Sequence, residues 1–167
     1  MKVDLRKKYN EYNERYFNNE LPELEAGKVD IEWSSRMTAS AGMMVLRQSY
    51  CGKVADRKIK ISTHYAERYP EDVDNVIIHE MIHILHPHDN HNEPFQQKAD
   101  EINRKAEQLG EAIKITVHAS DSAKAPKWSY ICDSCGRDHT RQRRAKNGGT
   151  GYRCGKCKGK LTERKNY

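Results

Sequence analysis

The segment His79-Glu80-Met81-Ile82-His83 combines two histidines four residues apart with a glutamate beside the first. On a helix, residues four apart lie one above the other, so both imidazoles can reach one Zn²⁺ ion. Zinc lowers the pKa of a bound water toward neutrality, and Glu80 is placed to take its proton during attack on an amide carbonyl. The pattern predicts a hydrolytic zinc site with His79 and His83 as ligands and Glu80 as the general base.

A catalytic zinc normally takes a third protein ligand. Four side chains that follow this motif are candidates: His86, His88, Asp89 and His91. The metzincin spacing does not apply, because its glycine and its third ligand would fall on His86 and Asp89. His91 comes just before the next predicted helix, where a loop can return it to the metal. Spacing alone favours His91 and leaves the other candidates open.

Four of the five cysteines form a C-x2-C-x18-C-x2-C pattern: Cys132, Cys135, Cys154 and Cys157. Each CxxC pair turns two thiolates toward one metal, and four sulfur ligands leave no position open for a substrate. The pattern predicts a structural zinc, so we expect two Zn²⁺ ions per chain, one catalytic and one structural. Cys51 stands alone and is expected to be a buried or half-buried thiol.

Charge divides the chain into two parts. Residues 124–167 carry 13 lysines and arginines against 3 acidic residues, a net charge of +10, whereas residues 1–123 have a net charge of −4. The basic part indicates a polyanionic partner. We predict sequence-nonspecific nucleic-acid binding, with single-stranded DNA as one candidate partner, through eight basic residues: Arg137, Arg141, Arg143, Arg144, Lys146, Arg153, Lys156 and Lys158. Among the nearby aromatics, Trp128 and Tyr152 are expected to pack in the core of this small module rather than to stack on bases.

The elements that must position these residues follow from the sequence pattern. Apolar residues at helical spacing predict a first helix over 3–19. Pro70 and the acids after it predict a helix that carries the His79–His83 motif to about His86, because Pro87 disfavours a longer one. Asn92 begins a further predicted helix that ends before Gly110. Runs of alternating or β-prone residues predict strands at 29–33, 41–45, 58–62 and 113–117.

Length and composition limit the class of protein. A chain of 167 residues with 36% hydrophobic residues has room for one domain plus a small appendage. No apolar run approaches the 18 residues of a membrane-spanning helix, and the N-terminus lacks the apolar region of a signal peptide. We therefore expect an intracellular protein without membrane association, cytoplasmic or associated with the nucleoid or nucleus, and monomeric.

The run HEMIHILHPHDNHNEPFQQKADEIN, residues 79–103, resembles the SprT-like metalloprotease family. That family places a third histidine in an H-G-x-x-F-like context, which His91-Asn92-Glu93-Pro94-Phe95 matches with Asn92 in place of the glycine. The similarity extends to Tyr9–Phe17, Leu21-Pro22, 33–42 and 59–62, and it covers most of residues 3–109. The resemblance implies that His91 is the third zinc ligand and that the substrates are proteins bound or crosslinked to DNA.

The expected architecture is α+β. A small zincin-like metalloprotease domain, with helices packed on a short and mostly antiparallel sheet, is predicted over 1–118. A linker over 119–127 and a basic four-cysteine zinc ribbon over 128–167 follow it. For the oxyanion of the reaction the candidates are Tyr65, His64 and Arg36, although each more often serves as an ordinary packing or surface residue.

Two alternatives to a DNA-targeted zinc endopeptidase remain open from the sequence. One is a non-catalytic nucleic-acid-binding regulatory protein in which both zincs are structural, and a fourth ligand from His86 or His88 would favour it. The other is a metallopeptidase whose ribbon recognises proteins, which an absence of any nucleic-acid effect on the cleavage rate would favour.

Overall fold

The computed structural model describes residues 3–24, 27–48, 54–87, 91–116 and 125–167. Cys51, His88 and Asp89 therefore lie outside the described residues, as does most of the predicted linker. The chain divides into two compact units, 1–123 and 124–167. Within the described residues, none of the helices is both long and apolar enough to cross a membrane.

The first unit is built on a mixed three-stranded sheet. Strands β1 (Val29–Ser34), β2 (Gly42–Gln48) and β3 (Val54–Ser62) lie in the order β1-β3-β2. β1 runs parallel to β3, whereas β2 runs antiparallel to it and forms one edge of the sheet. The three strands predicted from alternation are thus present, each somewhat longer than predicted.

In the described part of this unit, four α-helices accompany the sheet: α1 (Leu5–Phe17), α2 (Thr63–Arg68), α3 (Val73–Leu85) and α4 (Glu93–Leu109). Asp4 caps α1 by accepting the backbone N–H groups of Arg6 and Lys7. A turn of 3-10 helix at Pro70–Asp72 leads into α3, and Gly110 ends α4 in the left-handed conformation expected of a C′ glycine. The sequence pattern did not predict the short helix α2.

The core of the first unit lies between α3 and its neighbours. α3 packs against α1, β2 and β3, and its buried residues lie on several sides of the helix. A helix that is apolar on most sides belongs in the interior. The motif from His79 to His83 is therefore carried through the centre of the unit, on a helix that the surrounding packing holds in place.

The strand predicted at 113–117 is absent over the described residues 113–116, which are neither helix nor strand. Ile113 and Ile115 do alternate with more exposed residues, but side chains rather than a neighbouring strand bond to this backbone. The side chain of Asn103 pairs with both the N–H and the C=O of Ile115, and Asn75 accepts the N–H of Lys114. Since side chains satisfy these groups, no partner strand is needed.

The second unit is a three-stranded antiparallel sheet with β4 (Trp128–Cys132) between β5 (Asp138–Arg141) and β6 (Leu161–Lys165). Over both sheets, three of the four strand pairs are antiparallel. Tyr130 is 2% exposed and lies at the centre of the small core. Gly149 has a φ of +80°, and a Cβ there would lie 2.9 Å from the Tyr130 ring, so the chain passes close beneath the ring.

The prediction that Tyr152 packs in the ribbon core is wrong. Its side chain is 45% exposed, with the guanidinium of Arg141 5.6 Å from its ring centroid. Trp128 is half-buried, and its ring lies 5.2 Å from the guanidinium of Arg144. The buried residues of the ribbon include Tyr130, Cys132 and Cys154 instead.

Candidate zinc centres and cleft

Three histidines converge between α3 and the start of α4. His79 and His83 lie one turn apart on α3, and His91 lies two residues before α4. The three residues can each supply one ligand atom with all of these atoms within 4.8 Å of one another, and Nε2 of His79 is 2.9 Å from Nε2 of His91. With Zn–N bonds of about 2.0 Å, tetrahedral coordination requires N–N separations of about 3.3 Å. The three residues fit a zinc ion, and within the described residues no fourth ligand joins their cluster.

Phe95 packs against all three imidazoles. Its ring is fully buried, and its centroid lies 4.8 Å from those of His79 and His91 and 4.7 Å from that of His83. Phe95 stands at the first turn of α4, as the third residue of that helix. The aromatic position of the H-N-E-P-F run therefore fixes the three rings relative to one another.

His91 adopts an unusual backbone conformation, with a φ of +55°. A left-handed conformation costs a non-glycine residue free energy, so surrounding contacts must hold it. The side-chain amide of Gln96 donates a hydrogen bond to the His91 carbonyl at 2.9 Å. Of the other predicted third ligands, His86 lies at the C-cap of α3 and is not part of the described histidine cluster.

Burial favours the neutral form of the two imidazoles on α3, those of His79 and His83. Burial lowers the pKa of His79 to about 4, with a further contribution from His83 and His91, and burial followed by His91 and His86 lowers the pKa of His83 to about 4. A neutral imidazole is the form that ligates zinc. His79 also has a hydrogen bond with the backbone of Thr116 that raises its pKa, so the ring donates this bond.

Glu80 lies beside the histidines and is 7% exposed. Burial raises its pKa to about 7, and a hydrogen bond from the backbone N–H of Met44 opposes this rise. Through this hydrogen bond, the side chain of Glu80 on α3 is joined to the edge strand β2. The contact is close enough that a Cβ at Gly42 would lie 2.7 Å from both Cγ and Oε1 of Glu80. Neither Gly42 nor Met44 was recognised as part of the site from the sequence.

These residues open on a cleft of about 400 Å³. Residues 40–44, at the start of the edge strand β2, form one wall, α3 contributes Glu80 and the two histidines, and Lys114, Ile115 and Thr116 also line the cleft. A cleft that exposes the ligand cluster beside an edge strand has room for an extended peptide segment.

The predicted oxyanion stabilisers do not line this cleft. The Tyr65 hydroxyl donates to Asp72 at 2.5 Å, and Nε2 of His64 lies 3.1 Å from the carbonyl of Ser35. Arg36 is also outside the described lining of the cleft. Tyr65 and His64 therefore make contacts of the ordinary packing or surface kind, which the sequence analysis gave as their more frequent role.

The four ribbon cysteines form the second cluster. Their sulfur atoms all lie within 4.8 Å of one another, with 3.4 Å between Cys132 and Cys157 and 3.7 Å between Cys135 and Cys154. Zn–S bonds of about 2.3 Å require S–S separations of about 3.8 Å in a tetrahedron. The arrangement fits a closed structural zinc site.

His139, which the sequence analysis did not single out, lies against this cluster. Its Nε2 is 3.4 Å from Sγ of Cys154. A hydrogen bond from the backbone of Cys157 and one from His139 lower the pKa of the Cys154 thiol to about 5. Both favour the thiolate, which is the form that binds metal. His139 lies on β5, and the pairing of that strand with β4 places it beside the knuckles.

All eight basic residues predicted to bind nucleic acid are exposed on the second unit. Arg144 is committed to the fold, because its guanidinium makes three hydrogen bonds to the Glu163 carboxylate at 2.7–3.1 Å. Arg141 lies by the Tyr152 ring. Within the described residues, ion pairs involve none of the other six: Arg137, Arg143, Lys146, Arg153, Lys156 and Lys158.

Comparison with known proteins assigns both units. Residues 5–118 match the SprT-like family, and residues 126–165 match the SprT-like zinc ribbon domain. A curated relative, the DNA-dependent metalloprotease SPRTN of Xenopus tropicalis, is 30% identical over 110 residues. The match covers 61% of this chain and only 23% of the relative. The resemblance stated from the sequence is thereby confirmed for both units.

Proposed function

The chain belongs to the SprT-like family of zinc metalloproteases, and we propose that it is a zinc-dependent endopeptidase that cleaves proteins bound or crosslinked to DNA. The observation that carries the catalytic half is the convergence of three histidines and one buried glutamate on an open cleft. The DNA half is supported by the exposed basic side chains of the ribbon and, by analogy, by the description of the SPRTN relative as DNA-dependent.

In this proposal His79, His83 and His91 hold the catalytic zinc, and no further histidine of the described cluster closes the fourth position. Zinc, when bound there, supplies a Lewis acid that polarises the scissile carbonyl and acidifies water. Glu80 takes the proton of the attacking water and passes it to the leaving amine. Burial raises the pKa of Glu80 to about 7, and a more basic carboxylate is a better proton acceptor for this role.

Glu80→Gln tests the catalytic half. The amide cannot accept the proton, so we expect proteolysis to fall below detection while both zinc ions stay bound, since Gln is nearly isosteric and removes no ligand. Zinc content by mass spectrometry and cleavage of an unfolded protein substrate are the two readouts. The matched control is Glu107→Gln on the exposed face of α4. Wild-type cleavage by the Glu80 variant would contradict the assignment.

The ribbon is proposed to bring the protease to DNA. A ribbon on the same chain raises the local concentration of DNA-bound proteins near the cleft, which would favour such proteins over free ones. The six exposed basic residues without an ion pair can each neutralise a phosphate. Arg144 is not a good probe of DNA contact, because its loss would also remove the bonds to Glu163.

Salt dependence tests this half. If all six side chains contact phosphates of single-stranded DNA, the logarithm of affinity falls with the logarithm of salt with a slope of about −4. Lys156→Gln is expected to reduce the magnitude of that slope by about 0.7. Lys7→Gln, an exposed lysine of the first unit, is expected to leave it unchanged. Binding that is insensitive to salt would argue against phosphate contact.

A further inference from the structure

Residues 111–116, which we term the strap, are neither helix nor strand, and Lys114, Ile115 and Thr116 at its end line the cleft. The strap is fastened by side chains from three helices. The carboxylate of Glu111 accepts hydrogen bonds from Arg15 and Tyr16 of α1. Asn75 of α3 accepts the Lys114 N–H at 2.9 Å. These bonds replace the strand pairing that the strap lacks.

Asn103 of α4 makes the third attachment, and its side chain bonds both backbone groups of Ile115. Its Oδ1 accepts the N–H of Ile115 at 2.7 Å, and its Nδ2 donates to the C=O of Ile115 at 3.0 Å. Ile115 is itself only 5% exposed. Two bonds from one rigid amide, together with a buried side chain, fix the position and orientation of this residue.

The residue after Ile115 contacts the proposed metal site. Thr116 and His79 line the same cleft, and a hydrogen bond with the Thr116 backbone raises the pKa of the His79 ring, so the ring is the donor and the Thr116 carbonyl the acceptor. Nε2 of His79 faces His91, so Nδ1 is the nitrogen left for this bond. A fixed acceptor on the second ring nitrogen selects the tautomer and the ring orientation of a ligating histidine.

We propose that Asn103 is a positioning residue for His79: it fixes the peptide on either side of Ile115, and the strap then presents the Thr116 carbonyl to the imidazole. The inference rests on the proposed function, because it takes His79 to be a zinc ligand. Asn103 itself does not touch the metal or the substrate. Its effect is therefore expected on the affinity of the histidine site for metal.

Titration of the full chain with metal, with its cysteines kept reduced, measures the metal affinity of the histidine site without any assay of activity. Co²⁺ bound to four thiolates gives an intense charge-transfer absorption that Co²⁺ bound to histidine nitrogens lacks, so the two sites are followed separately. Asn103→Ala is expected to weaken Co²⁺ and Zn²⁺ binding at the histidine site by about tenfold, at the lower end for losses of supporting residues. The ribbon site is expected to keep its affinity.

Two further variants make the test specific. Gln97→Ala removes an amide of the same helix that, within the described residues, donates to Glu93 of that helix at 3.1 Å, and is expected to change neither site. Asn103→Asp keeps the acceptor for the Ile115 N–H but loses the donor to its C=O, so an intermediate loss is expected. If the alanine variant does not fold, the aspartate variant carries the test.

The outcomes separate this inference from the proposed function. If the wild-type histidine site binds no metal, the zinc protease proposal fails and the inference fails with it. If the wild type binds metal and both Asn103 variants bind it within twofold of wild type, only the role of Asn103 is overturned. An equal loss at the ribbon site, or the same loss in Gln97→Ala, would also overturn it.

Discussion

Replacing Gly42 with alanine tests whether the packing of β2 against α3 places the Glu80 carboxylate. The new Cβ would lie 2.7 Å from both Cγ and Oε1 of Glu80 and 2.8 Å from Cγ1 of Val76. These atoms must retreat by about 0.7 Å to reach ordinary contact at 3.4 Å. Val76 is buried on α3, so the helix has little room to give way. Such overpacking lowers the free energy of unfolding by about 1–3 kcal/mol.

The catalytic effect of this substitution is expected to exceed its effect on folding. A misplacement of about 1 Å in a reacting group can cost a factor of about 100 in rate, and moving Glu80 would also strain its bond from the Met44 N–H. We expect kcat/KM for an unfolded protein substrate to fall by about 10- to 100-fold. Zinc content is expected to stay at the wild-type level, because none of the three histidines is among the atoms nearest to the new methyl group.

The assay compares Gly42→Ala with Gly155→Ala, which makes the same change where no atom lies within 4 Å of the added Cβ. The control is expected to keep wild-type activity and thermal stability. A folded Gly42→Ala protein with wild-type kcat/KM would refute the reasoning, since Glu80 would then tolerate displacement from the position seen here.

Three further predictions concern folding. Asn13 is 4% exposed and bonds both the N–H and the C=O of Leu21 at 3.1 Å. Asn13→Ala is therefore expected to lower the free energy of unfolding by about 1–3 kcal/mol. Urea denaturation measures this, and an unchanged midpoint would contradict it. The Tyr130 hydroxyl accepts the Ala145 N–H at 2.8 Å; Tyr130→Phe is expected to destabilise the ribbon by about 1–3 kcal/mol, seen as faster hydrogen exchange at that amide. Chelation of zinc is expected to unfold residues 128–162, because so small a module lacks a sufficient core; ribbon amides that stay protected without metal would show the opposite.

Local geometry explains which parts of the site the sequence predicts. The HExxH spacing and the two CxxC pairs each place ligands within one helical turn or one tight turn, so His79, His83 and the four cysteines can be paired without knowing the fold. The helix that carries the motif was also predicted from local signals, because Pro70 and the acids after it favour a helix start and Pro87 disfavours its continuation.

Long-range contacts explain what the sequence did not predict. The clamp of Asn103 on Ile115 joins residues 12 apart in the chain and replaces a strand that alternation alone predicts. The contacts of Gly42 and Met44 with Glu80 depend on the packing of an edge strand on a helix. His139 meets Cys154 because β5 pairs with β4. None of these contacts has a spacing signature in the sequence.

Cleavage of a DNA-binding protein substrate, measured with and without single-stranded DNA, tests the central proposal most directly. The wild-type chain and Glu80→Gln are compared at equal zinc content. We predict cleavage that DNA stimulates in the wild type and that is absent from the variant under both conditions. Cleavage that DNA does not affect would contradict the targeting role of the ribbon, and no cleavage by the wild-type chain with two zinc ions bound would contradict the protease itself.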